Sequence, residues 1–363
     1  FSDLFAASCS RAASGQSAAS AGKEIVQAVF GTLPHKEEGA AMSLYLGHES
    51  ALRYWLTKRG DEAIPDPSGQ ASLADSSATA SEIKMAALPF DFSSRRPLQL
   101  LVSDSRQSHK LAAANVHLLT SPLPPGSFCD LVGTTHVASP ELTFVLMARD
   151  KTVQELAEIG CYLCGGFAIG DEGCGYVCQR SPLTTPEDIR AFISRLAPHT
   201  RGVSTASRAL RYVVPHTASP EEVLLALTCS LPPSLGGRSM PKVVANQRID
   251  IPKSLRDHTG ATHFFGDLFF RSVRGDMEYD SEEYHTGKYR LDHTMQRRNI
   301  LETAGIKVVS ATYGQISSYQ RFLDFWWMAE RRYGIRHKSY SWAQQRAQEN
   351  LYAWLMDRTR RLF

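Results

Sequence analysis

The turn at Arg274-Gly275, with the residues on either side of it, constrains the fold of this chain more than any other feature. Segments 263–271 and 276–280 combine aromatic, aliphatic and acidic side chains, which predicts two strands of a hairpin. Side chains alternate between the faces of a strand, so Glu278 and Asp280 must share one face. With an even number of turn residues, Asp267 joins them. The opposite face then points into the core through Leu268, Phe270, Met277 and Tyr279.

The segments around this hairpin predict a helix, three strands, a helix, a strand and two closing helices. A helix is expected over 220–229, after the start signal at Ser219-Pro220, and a strand over 243–251. A helix over 288–304 ends at Gly305, which is a good C-cap, and a β-branched strand follows over 306–312. Helices are expected over 317–333 and 342–361. We assign this unit to residues 217–363.

The preceding residues predict a second unit and a dispensable leader. Residues 1–41 are rich in Ala, Ser and Gly, which indicates a low-complexity, disordered extension, and Met42 is the expected start. Over 42–216, helices are expected at 49–59, 142–148, 152–163, 186–196 and 205–213, with strands at 98–103 and 117–120. The expected fold class is therefore α/β, with an α+β module at 42–216 to which no motif assigns chemistry.

Composition excludes several classes of protein. An apolar share of 43% and a charged share of 21% are ordinary for a globular chain, and the absence of a run of eighteen apolar residues argues against a membrane partner. Seven cysteines in 363 residues do not indicate a disulfide framework, so a cytoplasmic location is expected. Residues 288–363 hold fourteen Lys and Arg against six Asp and Glu. Such a basic segment next to acids suits a polyanionic substrate, and solvated basic helices are the alternative.

The acidic residues of the hairpin indicate a metal site. Three carboxylates on one face of a small sheet are costly unless a cation holds them, and hard oxygen ligands suit Mg²⁺ (or Mn²⁺). Such an ion can acidify water and stabilise charge on a phosphate. By spacing alone, Asp267, Glu278 and Asp280 also fit acids on a solvent-facing hairpin, because the pattern D-x10-E-x-D is weak.

A longer order of residues adds to the evidence from the hairpin. Asp267-Leu-Phe-Phe, Met277-Glu-Tyr-Asp-Ser, His285, Asp292, Arg297-Arg-Asn, Leu301 and Gly305-Ile-Lys-Val-Val follow one another. This order resembles a bacterial family of PD-(D/E)xK nucleases, which have a restriction-endonuclease-like fold and are related to the very-short-patch-repair endonucleases. The whole chain also resembles uncharacterised actinobacterial proteins, and some relatives of that group are labelled abortive-infection (AbiEi-type) antitoxins.

The resemblance implies an α/β/α sandwich with a mixed central sheet and a role for each matched residue. Asp267 and Glu278 would be metal ligands. Asp280 stands where the family name places Lys, and it adds a ligand or negative charge instead of orienting water. His285 would take over proton transfer, Glu222 would complete the acidic set, and the DNA backbone would be contacted by Gln296, Arg297 and Arg298.

The expected function is a metal-dependent nuclease that hydrolyses DNA phosphodiester bonds, with phage defence suggested by the resemblance. The alternative is a catalytically inactive nuclease fold that binds DNA as a regulator or antitoxin-like protein, which the missing Lys favours. RNA as the substrate and a homodimer stay open. Two further alternatives are a zinc site formed by Cys161, Cys164, Cys174 and Cys178, and stacking of the C-terminal tryptophans on bases.

Overall fold

Helices and strands are mixed along the part of the chain that the structure describes. The structure is a computed structural model and describes residues 42–69, 72–280, 288–357 and 362–363. The predicted α/β fold class is confirmed. The predicted extension, 1–41, lies outside the described residues.

The N-terminal half is built around a five-stranded mixed sheet. Its strands are β1 (Leu44–Leu46), β2 (Leu98–Val102), β3 (Ala114–Leu118), β4 (Phe128–Asp130) and β5 (Thr135–Ala138), in the order β3-β2-β1-β5-β4. A hairpin of β6 (Phe167–Ile169) and β7 (Tyr176–Gln179) is separate from this sheet. The helices are α1 (His48–Thr57), α2 (Ala80–Met85), α3 (Pro140–Met147), α4 (Val153–Leu163), α5 (Pro186–Arg195) and α6 (Val203–Ala209).

The C-terminal half contains a four-stranded mixed sheet. Its strands are β8 (Val243–Asp250), β9 (His263–Phe270), β10 (Gly275–Asp280) and β11 (Lys307–Thr312), in the order β11-β10-β9-β8. The first three strands are antiparallel neighbours, and β11 is parallel to β10. The helices are α7 (Pro220–Ser230), α8 (Lys253–Thr259), α9 (Lys288–Thr303), α10 (Tyr313–Ile316), α11 (Tyr319–Tyr333) and α12 (Trp342–Met356).

Helices cover both faces of this sheet. On one face, Leu268, Phe270 and Met277 are fully buried in the main core, which α7 and α11 also enter. On the other face, Phe269 packs against a smaller cluster that includes Leu301 of α9. Each fully buried aliphatic or aromatic side chain stabilises the fold by about 1.5–3 kcal/mol. The turn between β9 and β10 has four residues, 271–274, so the condition that we set for Asp267 is met.

The predicted element order of the C-terminal half is confirmed, but several short elements were missed or misplaced. Helix α8 was not expected, β3 begins at Ala114 rather than at 117, and α12 ends at Met356 rather than at 361. The strands β1, β4 and β6 have three residues each. Such strands are too short to show the alternation from which a strand is recognised in a sequence.

The two halves share one hydrophobic core. Residues 42–363 form one unit, and its main cluster of buried residues runs from Leu44 to Leu362. The indole nitrogen of Trp354 donates to Oε2 of Glu158 at 3.1 Å and so links α12 to α4. The domain boundary at 216/217 stays a prediction. No helix within the described ranges is long and apolar enough to cross a membrane.

Candidate functional site

Strand β9 leaves its neighbour β10 at the point where the acidic residues begin. The paired register runs from Gly275↔Phe270 to Met277↔Leu268. At the next position, Oδ2 of Asp267 accepts a hydrogen bond from the backbone N–H of Tyr279 at 3.0 Å. A side-chain carboxylate thus occupies the place of a strand carbonyl, and this bond fixes Asp267 beside β10.

An irregularity in β8 accompanies this divergence. Asn246 has a φ of 49° between the regular pairs Ala245↔Leu268 and Gln247↔Gly266, and its Nδ2 donates to the carbonyl oxygen of His216 at 2.7 Å. Ala245 packs in the main core, whereas Ile249 packs in the smaller cluster under α9. Residues four apart in a regular strand share a face, so the strand changes face near Asn246. Asn tolerates this left-handed conformation better than most residues do.

Five acidic side chains converge at this point of the sheet. Asp276, Glu278 and Asp280 share one face of β10. Asp276 is 0% exposed and Glu278 is 5% exposed, while Asp280 is half-buried. Asp267 on β9 lies close enough to Glu278 for the charge of Glu278 to raise its pKa. Glu222 on α7 lies close enough to Asp267 for the charge of Asp267 to raise the pKa of Glu222. We call Glu222, Asp267, Asp276, Glu278 and Asp280 the acidic cluster.

Burial makes the carboxyl groups of Asp276, Glu222 and Asp267 hard to ionise. The pKa of Asp276 rises to about 9, first because of desolvation and then because of the charges of Glu278 and Asp267. Desolvation and the charge of Asp267 raise the pKa of Glu222 to about 8. For Asp267, desolvation and Glu278 raise the pKa to about 6, against the hydrogen bond from Tyr279. The cluster therefore retains protons near neutral pH.

Glu222 also has a structural role at the start of α7. Its Oε2 accepts from the backbone N–H of Ala218 at 2.8 Å, and its Oε1 accepts from the Ser219 hydroxyl at 3.2 Å. The Ser219 hydroxyl in turn accepts from the backbone N–H of Glu222. This reciprocal cap stabilises the helix N-terminus by roughly 1 kcal/mol and holds the carboxyl group beside Asp267.

Arg297 is the basic side chain that the described residues bring to the acidic cluster. Its Nη1 forms an ion pair with Oε1 of Glu278, and its Nη2 donates to the carbonyl oxygen of Phe265. The guanidinium carbon lies 5.7 Å from the centre of the Phe264 ring. We expected Arg297 to contact phosphate, but here it neutralises an acid of the cluster.

The other predicted site residues are placed differently. Arg298 pairs with Glu302 one turn away, with Nε 3.3 Å from Oε1. Gln296 is exposed and lines an open groove between α8 and α9. His285 lies outside the described residues, as does the side chain of Asp292.

Two residues of the site, Asp276 and Gly266, were not predicted from the sequence. Asp276 lies two residues before Glu278, so the alternation that placed Glu278 and Asp280 together also places Asp276 with them. Gly266 lies against the Asp276 carboxylate, and an added Cβ would be 2.3 Å from its Oδ1. In this position only glycine leaves room for the buried acid.

Replacing Gly266 with alanine is therefore expected to destabilise the protein by about 1–3 kcal/mol, because the Asp276 carboxylate must shift. Urea unfolding measures this change. Gly69→Ala is the matched control, since the Cβ added there meets nothing within 4 Å. If Gly266→Ala unfolds at the same urea concentration as the parent protein, Asp276 is not packed against Gly266 as described.

The donor set of the acidic cluster fits a hard divalent cation. Both carboxylate oxygens of Asp276 are buried, and no N–H group or hydroxyl of the described residues donates to them. The carboxyl groups of Asp276 and Glu278 are in hydrogen-bonding contact, which requires a proton between them. A cation can replace that proton. Within the described residues, however, no three acidic, His or Cys side chains already surround one ion position, so binding requires the carboxylates to rearrange.

The zinc alternative receives no support from the cysteines. Cys161 and Cys164 are buried, and the Sγ of Cys161 accepts from the backbone N–H of Val214 at 3.3 Å. Burial raises the pKa of the Cys161 thiol to about 12, so it stays protonated. Cys174 and Cys178 are half-buried, and no group of three metal-binding side chains forms among the residues described here.

Comparison of the chain with protein-family models, with curated proteins and with solved structures finds no match. The geometry and charge of the acidic cluster therefore carry the functional argument.

Proposed function

We propose that this chain is a metal-dependent nuclease that hydrolyses DNA phosphodiester bonds. Asp267 and Glu278 would hold Mg²⁺ or Mn²⁺, with Asp280 as a further ligand. The observation that carries the proposal is the burial of Asp276 and Glu278, with the half-buried Asp267, beside one basic side chain of the described residues, Arg297.

The negative charge of this cluster does not stabilise the folded chain by itself. Burying an ionised carboxylate without a partner costs several kcal/mol, so uncompensated buried acids indicate a function that needs them. Strongly raised pKa values of neighbouring acids are a further sign of a functional site. A divalent cation held here supplies charge that stabilises a phosphate in hydrolysis and acidifies water.

The residues of this chain divide the remaining tasks. The N–H of Tyr279 fixes the Asp267 carboxylate, and the helix cap fixes Glu222. Glu222, with a pKa of about 8, can take up or release a proton near neutral pH and is a candidate acid or base. Arg297 now pairs with Glu278, and its guanidinium would be available for a phosphate oxygen if a cation compensated the charge of Glu278 instead.

The charge of the C-terminal part supports the choice of substrate class. The excess of Lys and Arg over residues 288–363 favours a nucleic acid. We propose DNA, with a role in phage defence in the cytoplasm; RNA is an outcome of the test below, and a homodimer is compatible with cutting both strands.

A second candidate is a nuclease fold without catalysis that acts as a DNA-binding regulator or an antitoxin-like protein. Two observations favour it. Asp280 stands where a Lys would orient water, and Arg297 already neutralises Glu278. In this case the Arg297–Glu278 pair would serve the stability of the fold rather than wait for an ion.

Cleavage assays decide between the two candidates. The full chain is incubated with plasmid DNA, single-stranded DNA and RNA in Mg²⁺, Mn²⁺ or EDTA, beside the double variant Asp267→Ala/Glu278→Ala. The proposal expects cleavage that requires the metal and is absent in the double variant. Equal activity of both proteins indicates a contaminant and removes the support for this site. Binding of DNA without cleavage by either protein favours the regulator.

A further inference from the structure

Two tryptophans on the closing helices face solvent and line the same cavity. Trp342, the first residue of α12, is 70% exposed, and Trp327 of α11 is 48% exposed. Both line a cavity of about 520 Å³ between these helices, together with Tyr319, Tyr340 and Arg346. This volume is within the range of ligand sites in proteins, about 300–1,000 Å³.

The core of the fold does not account for these two side chains. Trp326, the neighbour of Trp327 in the sequence, is fully buried and packs edge-on against Phe322 and Phe325. The C-terminal tryptophans therefore differ in their surroundings. Trp326 belongs to the core, whereas Trp327 and Trp342 are exposed. Exposed aromatic side chains around a cavity mark binding sites more often than chance exposure does.

An arginine from the next turn of the same helix lies over each exposed indole ring. The guanidinium of Arg331 lies 5.5 Å from the centre of the Trp327 ring, and that of Arg346 lies 5.0 Å from the centre of the Trp342 ring. Within 319–356 there are six Lys and Arg against three Asp and Glu. The cavity thus combines flat aromatic surfaces with a lining of mixed charge, in which Asp324 and Glu349 accompany Arg346, while Arg331 lies over the Trp327 ring.

A buried arginine, Arg238, also lines the cavity. Arg238 is 2% exposed and its Nε donates to Oε1 of Glu330 at 2.8 Å, but its Nη1 has no partner within the described structure. Its guanidinium lies 5.5 Å from the centre of the Tyr340 ring, which also lines the cavity.

We propose that this cavity binds a base of single-stranded nucleic acid. The base would stack on Trp327 or Trp342, and the flanking phosphates would lie on Arg331 and Arg346. Stacking on aromatic side chains beside a basic groove is the general way in which proteins hold single strands without reading their sequence. This surface is separate from the acidic cluster, and it rests on the proposed function only for the choice of a nucleic acid as ligand.

Binding of a labelled single-stranded 20-mer DNA to the full chain tests the proposal by fluorescence anisotropy. EDTA is present, so the result does not depend on cleavage or on a metal. We expect at least one of the variants Trp342→Ala and Trp327→Ala to weaken binding about tenfold, the usual loss for one stacked base. A duplex of the same sequence should bind less tightly than the single strand. Thermal unfolding verifies that each variant is folded.

Met328→Ala is the matched control, because Met328 is also exposed on α11 but does not line the cavity. Its affinity should stay within about twofold of the parent protein. The proposal is overturned if the single strand does not bind, if both Trp variants bind it as the parent does, or if duplex binds equally well. It is also overturned if the exposed tryptophans lie in a dimer interface. Sedimentation would then show the parent protein as a dimer and Trp342→Ala as a monomer. Cleavage without this effect would leave the nuclease proposal intact.

Discussion

Asp267→Asn is expected to reduce metal-dependent cleavage by about 10²–10³-fold or more while the protein becomes more stable. The carboxylate would be lost as a metal ligand, and removal of one group that stabilises the transition state costs at least this much. The amide oxygen of Asn can still accept from the N–H of Tyr279, which the native carboxylate does at 3.0 Å, so the local backbone is preserved.

The gain in stability comes from the same burial that raises the pKa of Asp267 to about 6. Above that pH the folded protein must hold a charge that its surroundings oppose, and a neutral amide removes this cost. At pH 8 we expect a gain on the order of 2 kcal/mol in the free energy of unfolding in EDTA. A residue whose removal lowers activity and raises stability is typical of a functional site.

Glu222→Gln shows whether the loss of cleavage is specific to Asp267 or follows from the removal of any carboxylate of the acidic cluster. Its amide can keep one of the cap contacts, to the N–H of Ala218 or to the Ser219 hydroxyl, so α7 should remain capped. Glu222 is a candidate for proton transfer rather than a principal ligand, and we expect a loss of about 10- to 100-fold, less than for Asp267→Asn. Initial rates at saturating Mg²⁺ measure both. Undiminished cleavage by Asp267→Asn would show that the acidic cluster is not the catalytic site.

Local pattern was enough to predict the strands of the site but not its electrostatics. Alternation placed Leu268, Phe270 and Met277 in the core and put Glu278 and Asp280 on the opposite face, and the structure agrees. The same rule places Asp276 on the face of Glu278 and Asp280, but Asp276 was not among the predicted site residues. The alternation of side chains along β10 is therefore enough to predict that Asp276 belongs to the site.

Other features of the site depend on contacts between distant segments. The pairing of Arg297 with Glu278 arises only when α9 is docked on the sheet, and nothing in the spacing of the two residues predicts it. The left-handed conformation of Asn246 was equally unpredictable, because Asn adopts it in few strands. The short strands of the N-terminal sheet are held by their neighbours rather than by their own propensity.

Asp276→Asn is expected to change the pH dependence of stability. The pKa of Asp276 rises from 3.8 to about 9 in the folded protein, so between these values the folded state binds more protons than the unfolded state. The free energy of unfolding must therefore fall as pH rises through this range, by up to about 1.4 kcal/mol per pH unit for one group. Below pH 4 the carboxyl is protonated in both states, and this contribution vanishes.

The amide of Asn resembles the protonated carboxyl in shape and can donate to Glu278, but it does not titrate. The variant should match the parent protein near pH 4, exceed it by a few kcal/mol at pH 8, and show a shallower slope between the two. Urea unfolding in EDTA at pH 5, 6, 7 and 8 measures the slopes. Asp250→Asn, a change at an exposed acid of β8, is the control and should leave the slope unchanged.

Addition of a divalent cation supplies the decisive comparison. A cation competes with the protons that the cluster holds, so Mg²⁺ or Mn²⁺ should stabilise the parent protein more at pH 8 than at pH 6. The gain should be smaller for Asp276→Asn, because one source of the unfavourable charge is already absent. If the parent protein and Asp276→Asn instead show parallel pH profiles and equal responses to the metal, Asp276 ionises normally. This outcome would contradict the proposal that buried charge lets the cluster bind a cation.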